Sequence, residues 1–234
     1  MTQLSSIRRI LVLAAHPDDE ILGCGATIRR LVGSGAEAHA LVLGTGLAAR
    51  RGTSNGFSSE ELERLRTNAR ASADVIGFKT ISFEDFPDNR MDSVDLLDVV
   101  QKINAYADKV LPDTVFTHHR ADLNIDHRIT YNAAITAFRP LEGCCVKQIL
   151  CFETPSSTEW NFPYYHNAFS PNVFVNVESE IEEKIIALNC YETEVRAAPH
   201  PRSAESVRAI AQRWGSVAGF KSAEAFELIL SKIL

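Results

Sequence analysis

Four groups able to bind a metal or move a proton fall within the five residues His16-Pro17-Asp18-Asp19-Glu20, directly after the apolar run Ile10 to Ala14. Pro17 forces an extended conformation on His16 and can open a turn, and the three acids then stand at the start of a helix. Capping and the helix dipole account for one or two acids there, but not for a histidine followed by three. A second cluster, Thr117 to Arg128, holds His118, His119 and His127 with Asp122 and Asp126, three of the chain's seven histidines. Two histidines and a carboxylate with an open position suit a divalent metal such as zinc, which brings water to a pKa of about 7. The spacing therefore points to a mononuclear, hydrolytic metal site. The same donor set also serves non-haem iron oxygenases, a reading that the H-x-x-D spacing and the parallel α/β pattern disfavour.

The elements needed to bring the clusters together are legible. Ile10 to Ala14, Ala38 to Leu43, Lys79 to Phe83 and Thr114 to Thr117 are short apolar runs of the kind buried on both faces of a parallel sheet. Helical patterns lie between them, at about 21–32, 59–76 and 94–110, and a further one follows at 126–138. This alternation predicts an α/β, Rossmann-like three-layer sandwich with a mostly parallel, doubly wound sheet. In the common strand order of that fold the first and fourth strands are neighbours where the winding reverses, so the two clusters would converge. Strand patterns near 146–152 and 173–177 and helices near 179–196 and 204–217 complete the chain. The expectation is one domain over 1–234, with its core at 1–140 and a C-terminal cap at 141–234 that shapes the substrate pocket.

Composition bounds the partners. The 234 residues carry 30 acids against 24 Lys plus Arg, a net charge of −6, with 45% hydrophobic content, which excludes a disordered or fibrous chain. The acidic balance argues against nucleic acid or an anionic membrane as the main partner. The longest stretch without charge, 160–177, is too polar for a membrane span, and the N-terminus lacks a secretory pattern, so a cytoplasmic location is expected. Five cysteines, an odd number in apolar settings, read as reduced. A homo-oligomer is expected. Gly23 and Gly25 fall inside the first helix and leave no G-x-G-x-x-G, which weakens a second alternative, a non-catalytic nucleotide-sugar binding module.

AHPDDE after the first strand, with the Asp126-His127 pair opening the helix after the fourth, resembles the LmbE-like, or PIG-L-like, zinc-dependent N-deacetylases. The segments ETPSSTEW, FSPNVFV, YETEVR, PHPRS and AEAF look like one bacterial branch of that family. The resemblance implies that His16, Asp19 and His127 ligate zinc, with Fe²⁺ an alternative, and that Asp18 is the general base that activates water. It implies hydrolysis of the N-acetyl group of a small N-acetylated amino sugar or sugar conjugate, N-acetylglucosaminyl or nucleotide-linked, releasing acetate and an amine. Many relatives have a histidine three residues before the last ligand, where this chain has Asn124. Asn124 can donate to an oxyanion but cannot deliver a proton, so the acid is sought among Asp18, His119 and His200, in that order. Asp122 and Asp126 are candidates to orient the histidines.

Substrate contacts are expected from the loops over the same sheet edge. Arg50 and Arg51, in the 15-residue loop Gly44 to Ser58, suit an anionic group, and Asp88, with Asn89 and Arg90, suits hydroxyls. Glu153 and His200 are further substrate candidates, and Trp160, Phe162, Tyr164 and Tyr165 could stack on a sugar face.

Overall fold

The computed structural model describes residues 7–47, 58–162 and 168–233. Among the described residues seven strands form one sheet: β1 (Arg9–Ala14), β2 (Glu37–Gly44), β3 (Thr80–Phe86), β4 (Thr114–His118), β5 (Gln148–Phe152), β6 (Val173–Asn176) and β7 (Ala223–Ser231). Their order is β3-β2-β1-β4-β5-β7-β6, and only β7 runs against the rest. The α-helices among the described residues are α1 (Asp19–Gly33), α2 (Ser59–Ile76), α3 (Leu96–Val110), α4 (Ile125–Ala137), α5 (Ile181–Asn189) and α6 (Ala204–Ala218). This is the expected mostly parallel α/β sandwich.

The strand period of two divides the core into layers. Ile10 and Val12 of β1 pack with residues of α1, α2 and α5, such as Ile28, Leu65 and Ile185. Leu11 and Leu13, pointing the other way, pack with Val99, Ile103 and Ala133 of α3 and α4. Both faces are thus covered, which explains why β1 and β2 read as continuous apolar runs. Local signals fix several helix ends. Ser58 and Glu61 form a capping box at α2, and Gly77 closes that helix with φ 93.

Two features depart from expectation in the last third. No strand is anticipated at 223–231, because Glu224 and Glu227 interrupt its apolar alternation; both are buried, Glu224 on Lys184 Nζ at 2.6 Å and Glu227 on His119 Nδ1 at 2.9 Å. Buried, paired acids read as surface in sequence. Helix α5 ends at Asn189 rather than near 196, and the turns beyond it direct Tyr191, fully buried, onto Glu20. The strands of 141–234 extend the sheet of the first half rather than building a separate one.

Glu224 also enters α1. It accepts from the backbone N–H of Ala26 and Thr27, and Lys184 Nζ donates to the carbonyl of Leu22. The helix that begins with Asp19 is therefore held at mid-length by side chains from α5 and β7.

Candidate active site

β1 and β4 are paired neighbours, and the residues beyond their carboxyl ends form the two clusters. The turn after β1 is closed by its own side chains: His16 N–H donates to Asp19 Oδ2 at 2.9 Å and Asp18 N–H to Glu20 Oε2 at 3.1 Å. Asp18 has φ 103, a left-handed conformation costly for a residue with a Cβ and typical of functional turns. Opposite it, Gly46 has φ 70, and an added Cβ would lie 2.9 Å from Pro17 Cδ, so only glycine lets the β2 loop pass this close.

Asp19 Oδ2 lies 3.4 Å from His16 Nδ1 and 3.3 Å from His127 Nε2, all three residues being buried or nearly so. Their ligand atoms fall within 4.8 Å of one another. Among the described residues Asp19 Oδ1 has no hydrogen-bond partner, and His127 Nε2 has only the Asp19 carboxylate beside it, out of line for a good hydrogen bond. Buried donors and acceptors left this way are costly unless an ion takes them, and two imidazoles with one carboxylate are the donor set zinc prefers. The residues fit a divalent metal.

Each histidine has a carboxylate behind it. His16 Nε2 meets Asp126 Oδ2 at 2.9 Å and Asp88 Oδ1 at 3.2 Å, and His127 Nδ1 meets Asp122 Oδ1 at 3.1 Å. Asp126 is fixed by the N–H groups of Asn89 and Met91, and Asp122 by the hydroxyls of Ser157 and Thr158. Such carboxylates set ring orientation and raise ligand basicity. His118, which bonds Ala15 N–H through Nε2 and Thr154 Oγ1 through Nδ1, stacks on His127 at 4.0 Å. Burial and the charge of His127 push it down to about 3, so it stays neutral and ties β4 to β1.

The buried charges of the cluster shift one another. Burial raises Asp18, aided by Asp19, Glu194 and Glu20, while Arg202 opposes; the net shift is upward. Burial would lower His127, but Asp19 and Asp122 outweigh it and lift it to about 9, and His127 in turn is the main reason Asp19 lies well below the usual range despite its burial. Burial lifts Glu20 to about 7, beyond the pull of the Tyr191 hydroxyl bond. This yields a stability prediction. Between 4.5 and about 7 the folded chain holds a Glu20 proton that the unfolded chain has released, so metal-free protein should lose stability as pH rises through that window. Glu20→Gln should flatten this slope in denaturant titrations at about pH 5 and about pH 7; an unchanged slope would refute the assignment.

A cavity of about 220 Å³ opens on the cluster, lined by His16, Asp18, Asp88, Asn89, Asn124, Ser156, Glu194, Arg196, His200 and Arg202 among others. It brings together Asp18, Asp88, Asn124 and His200 from the sequence-derived set. Asn124 caps α4, accepting from Asp126 N–H at 2.8 Å and donating to Asn89 Oδ1 at 2.9 Å, which leaves it one amide N–H. His200 Nδ1 accepts from Arg202 N–H at 3.1 Å. His119 is not on this cavity: it faces Glu227 and sits edge-on to Phe169. Glu153 is elsewhere too, bonded to Trp214 Nε1. Arg50, Arg51, Tyr164 and Tyr165 lie outside the described residues.

The residue that sequence reasoning missed is Arg202. Its Nη1 donates to Asp18 Oδ2 at 2.6 Å, its Nε to Ser156 Oγ at 2.8 Å, and Glu194 stands at 3.8 Å. The only cue was its place in PHPRS, two residues past His200.

The signature of the PIG-L family, described as GlcNAc-PI de-N-acetylase, matches residues 11–138. The uncharacterized deacetylase YaiS of Escherichia coli K12 is 31% identical over 176 residues, 73% of this chain and 83% of YaiS. The diacetylchitobiose deacetylase of Thermococcus kodakarensis is 26% identical, across 96% of this chain and 84% of its own. GalB, the 4-carboxy-2-hydroxymuconate hydratase of Pseudomonas putida KT2440, superposes with a TM-score of 0.76 at 21% identity, covering 97% of this chain and 98% of GalB. That last likeness is one of fold, so the reaction has to be argued from the site.

Proposed function

The chain belongs to the PIG-L family of de-N-acetylases, and on that premise we propose that its cavity hydrolyses the N-acetyl group of a small N-acetylated amino sugar or sugar conjugate, releasing acetate and a free amine. The observation that carries this reading is the adjacency of Asp18 and Asp19: one carboxylate faces the metal-ligand cluster, the other faces the cavity on an arginine. Family membership favours hydrolysis over the oxygenase and binding-module alternatives.

His16, Asp19 and His127 would hold the metal, and zinc suits this nitrogen-rich, single-carboxylate set better than the harder dications. When bound, it supplies Lewis-acid polarisation of the amide carbonyl. Asp18 takes the proton from the attacking water, its carboxyl raised by burial into a range where it binds that proton well. Arg202 opposes the upward shift of Asp18 and aims its carboxylate, and the remaining N–H of Asn124 offers a donor to the developing oxyanion. With His119 turned away, the proton returns to the leaving amine from Asp18, with His200 the remaining one of the three acid candidates on the wall. Asp88 and Ser156 supply acceptors and a hydroxyl for the sugar.

The deciding experiment is an acetate- and amine-release screen of zinc-loaded protein against N-acetyl sugars, their phosphates and nucleotide conjugates. Turnover of an N-acetyl sugar is expected, and inertness toward all with zinc bound would overturn the reading. Arg202→Gln tests the base. Removing the guanidinium takes away what opposes Asp18's upward shift, so the acid limb of kcat/KM should move up by roughly one pH unit or more. A uniform fall in rate with an unmoved limb would make Arg202 merely structural.

A further inference from the structure

The hydrogen-bonded ladder between β1 and β4 ends at Val12 opposite Phe116, short of both ligand-bearing turns. A side chain carries the join further. His118, the last residue of β4 and fully buried, accepts from the Ala15 N–H through Nε2 at 2.9 Å, while the Ala15 carbonyl accepts from the Gly44 N–H at 2.7 Å. The peptide next to His16 is thereby pinned on both sides. At its other end the His118 ring reaches Thr154 Oγ1 from Nδ1 at 3.1 Å, and its plane lies on the His127 ring, centroids 4.0 Å apart and 22° from parallel. Thr154 leads back to the same ligand: its N–H donates to Thr158 Oγ1 at 2.8 Å, and that hydroxyl donates to Asp122, the carboxylate behind His127.

These contacts fix the tautomer. A backbone N–H only donates, so Nε2 is unprotonated and the ring proton sits on Nδ1, where it is donated to the Thr154 hydroxyl oxygen. The single lone pair of Nε2 is spent on Ala15, and Asp19 Oδ2 stands 3.6 Å from that nitrogen, beyond hydrogen-bond reach. His118 is therefore not a fourth ligand. The contacts also account for the residue type, since phenylalanine would keep the stack and leave the buried Ala15 N–H without a partner, whereas glutamine would supply an acceptor and lose the stack.

We propose that His118 is a positioning residue of the metal centre: as the Nδ1-protonated tautomer it spaces the turn bearing His16 and Asp19 from the helix bearing His127, without touching the ion. The assignment rests on the ligand set above and is independent of the substrate.

Both parts are read without turnover. NMR of the isotope-labelled histidines should show His118 with Nδ1 protonated and Nε2 bare, and the same pattern after zinc is added. A proton on Nε2, or an Nε2 signal that zinc moves into the metal-bound range, overturns the proposal. His118→Phe should weaken zinc binding about ten- to a hundredfold in competition with a chelator and shift the visible bands of the cobalt-loaded protein. Thr154→Val, which removes the hydroxyl alone, should act in the same direction by about threefold or more, and it decides the matter if the phenylalanine variant does not fold. Lower stability with zinc affinity and cobalt bands unchanged would make His118 merely structural and overturn its positioning role. Weakened zinc binding in the variants, with no acetate released from any sugar by the wild type, upholds that role and removes the reaction instead.

Discussion

Asp18→Asn should lower kcat by about two to four orders of magnitude and leave the metal content unchanged. The carboxylate is the group on the cavity that combines burial, an upward-shifted proton affinity and a fixed cationic partner at 2.6 Å. Asn keeps the shape and can still accept from Arg202, so what is lost is the ability to take a proton. It is also the substitution best suited to φ 103, since Asn enters the left-handed region more readily than Ala, and backbone strain will not confuse the result. Acetate release gives kcat and elemental analysis gives the metal. A fall of less than about tenfold would remove Asp18 from the role of base.

His127→Ala should abolish both metal retention and turnover, and the intact protein should show why through pH. Before a metal binds, the ring lies 3.3 Å from Asp19 and 3.1 Å from Asp122, whose charges outweigh burial and hold its proton up to about 9. A ligating imidazole must be neutral, so proton and metal compete. His16 is also raised well above its ordinary value, hydrogen bonds to Asp126, Asp19 and Asp88 outweighing burial, so below about 9 apparent metal affinity should rise at least about tenfold per pH unit, with at least about one proton released per ion by calorimetry in buffers of different ionisation heat. The raised value also means that, in metal-free protein, this imidazolium stabilises the fold fully below 6.5 and ceases to do so as pH rises through about 9. In His127→Ala, Asp19 and Asp122 lose the cation between them, a loss of roughly 3–5 kcal/mol for a broken buried pair. Full metal occupancy in the variant would dismiss the ligand assignment.

Much of the site was readable because the signals are local. His16 to Glu20 and Asn124 to His127 each follow a strand and open a helix, and the strand order places them together without further information. What was not readable depends on contacts across the chain. Arg202 and Asp18 are 184 residues apart, and no spacing rule pairs them. His118 and His119 are indistinguishable by type, yet they face opposite ways where β4 ends, one to His127 and the other to Glu227. Glu153 follows β5 as a site residue would, but Trp214 draws it toward another cavity. β7 was hidden because its glutamates are buried with partners that a linear reading cannot supply.

The position of that last strand constrains the order of assembly. Among the described residues β6 pairs with β7 alone, whose residues follow it by about fifty positions, and the middle of α1 waits for Glu224. During synthesis the helix that carries Asp19 and the far sheet edge therefore remain incomplete until Ala223–Ser231 have left the ribosome. Nascent chains stalled before residue 223 should be sensitive to protease and unable to retain metal, however much of the parallel core they already contain.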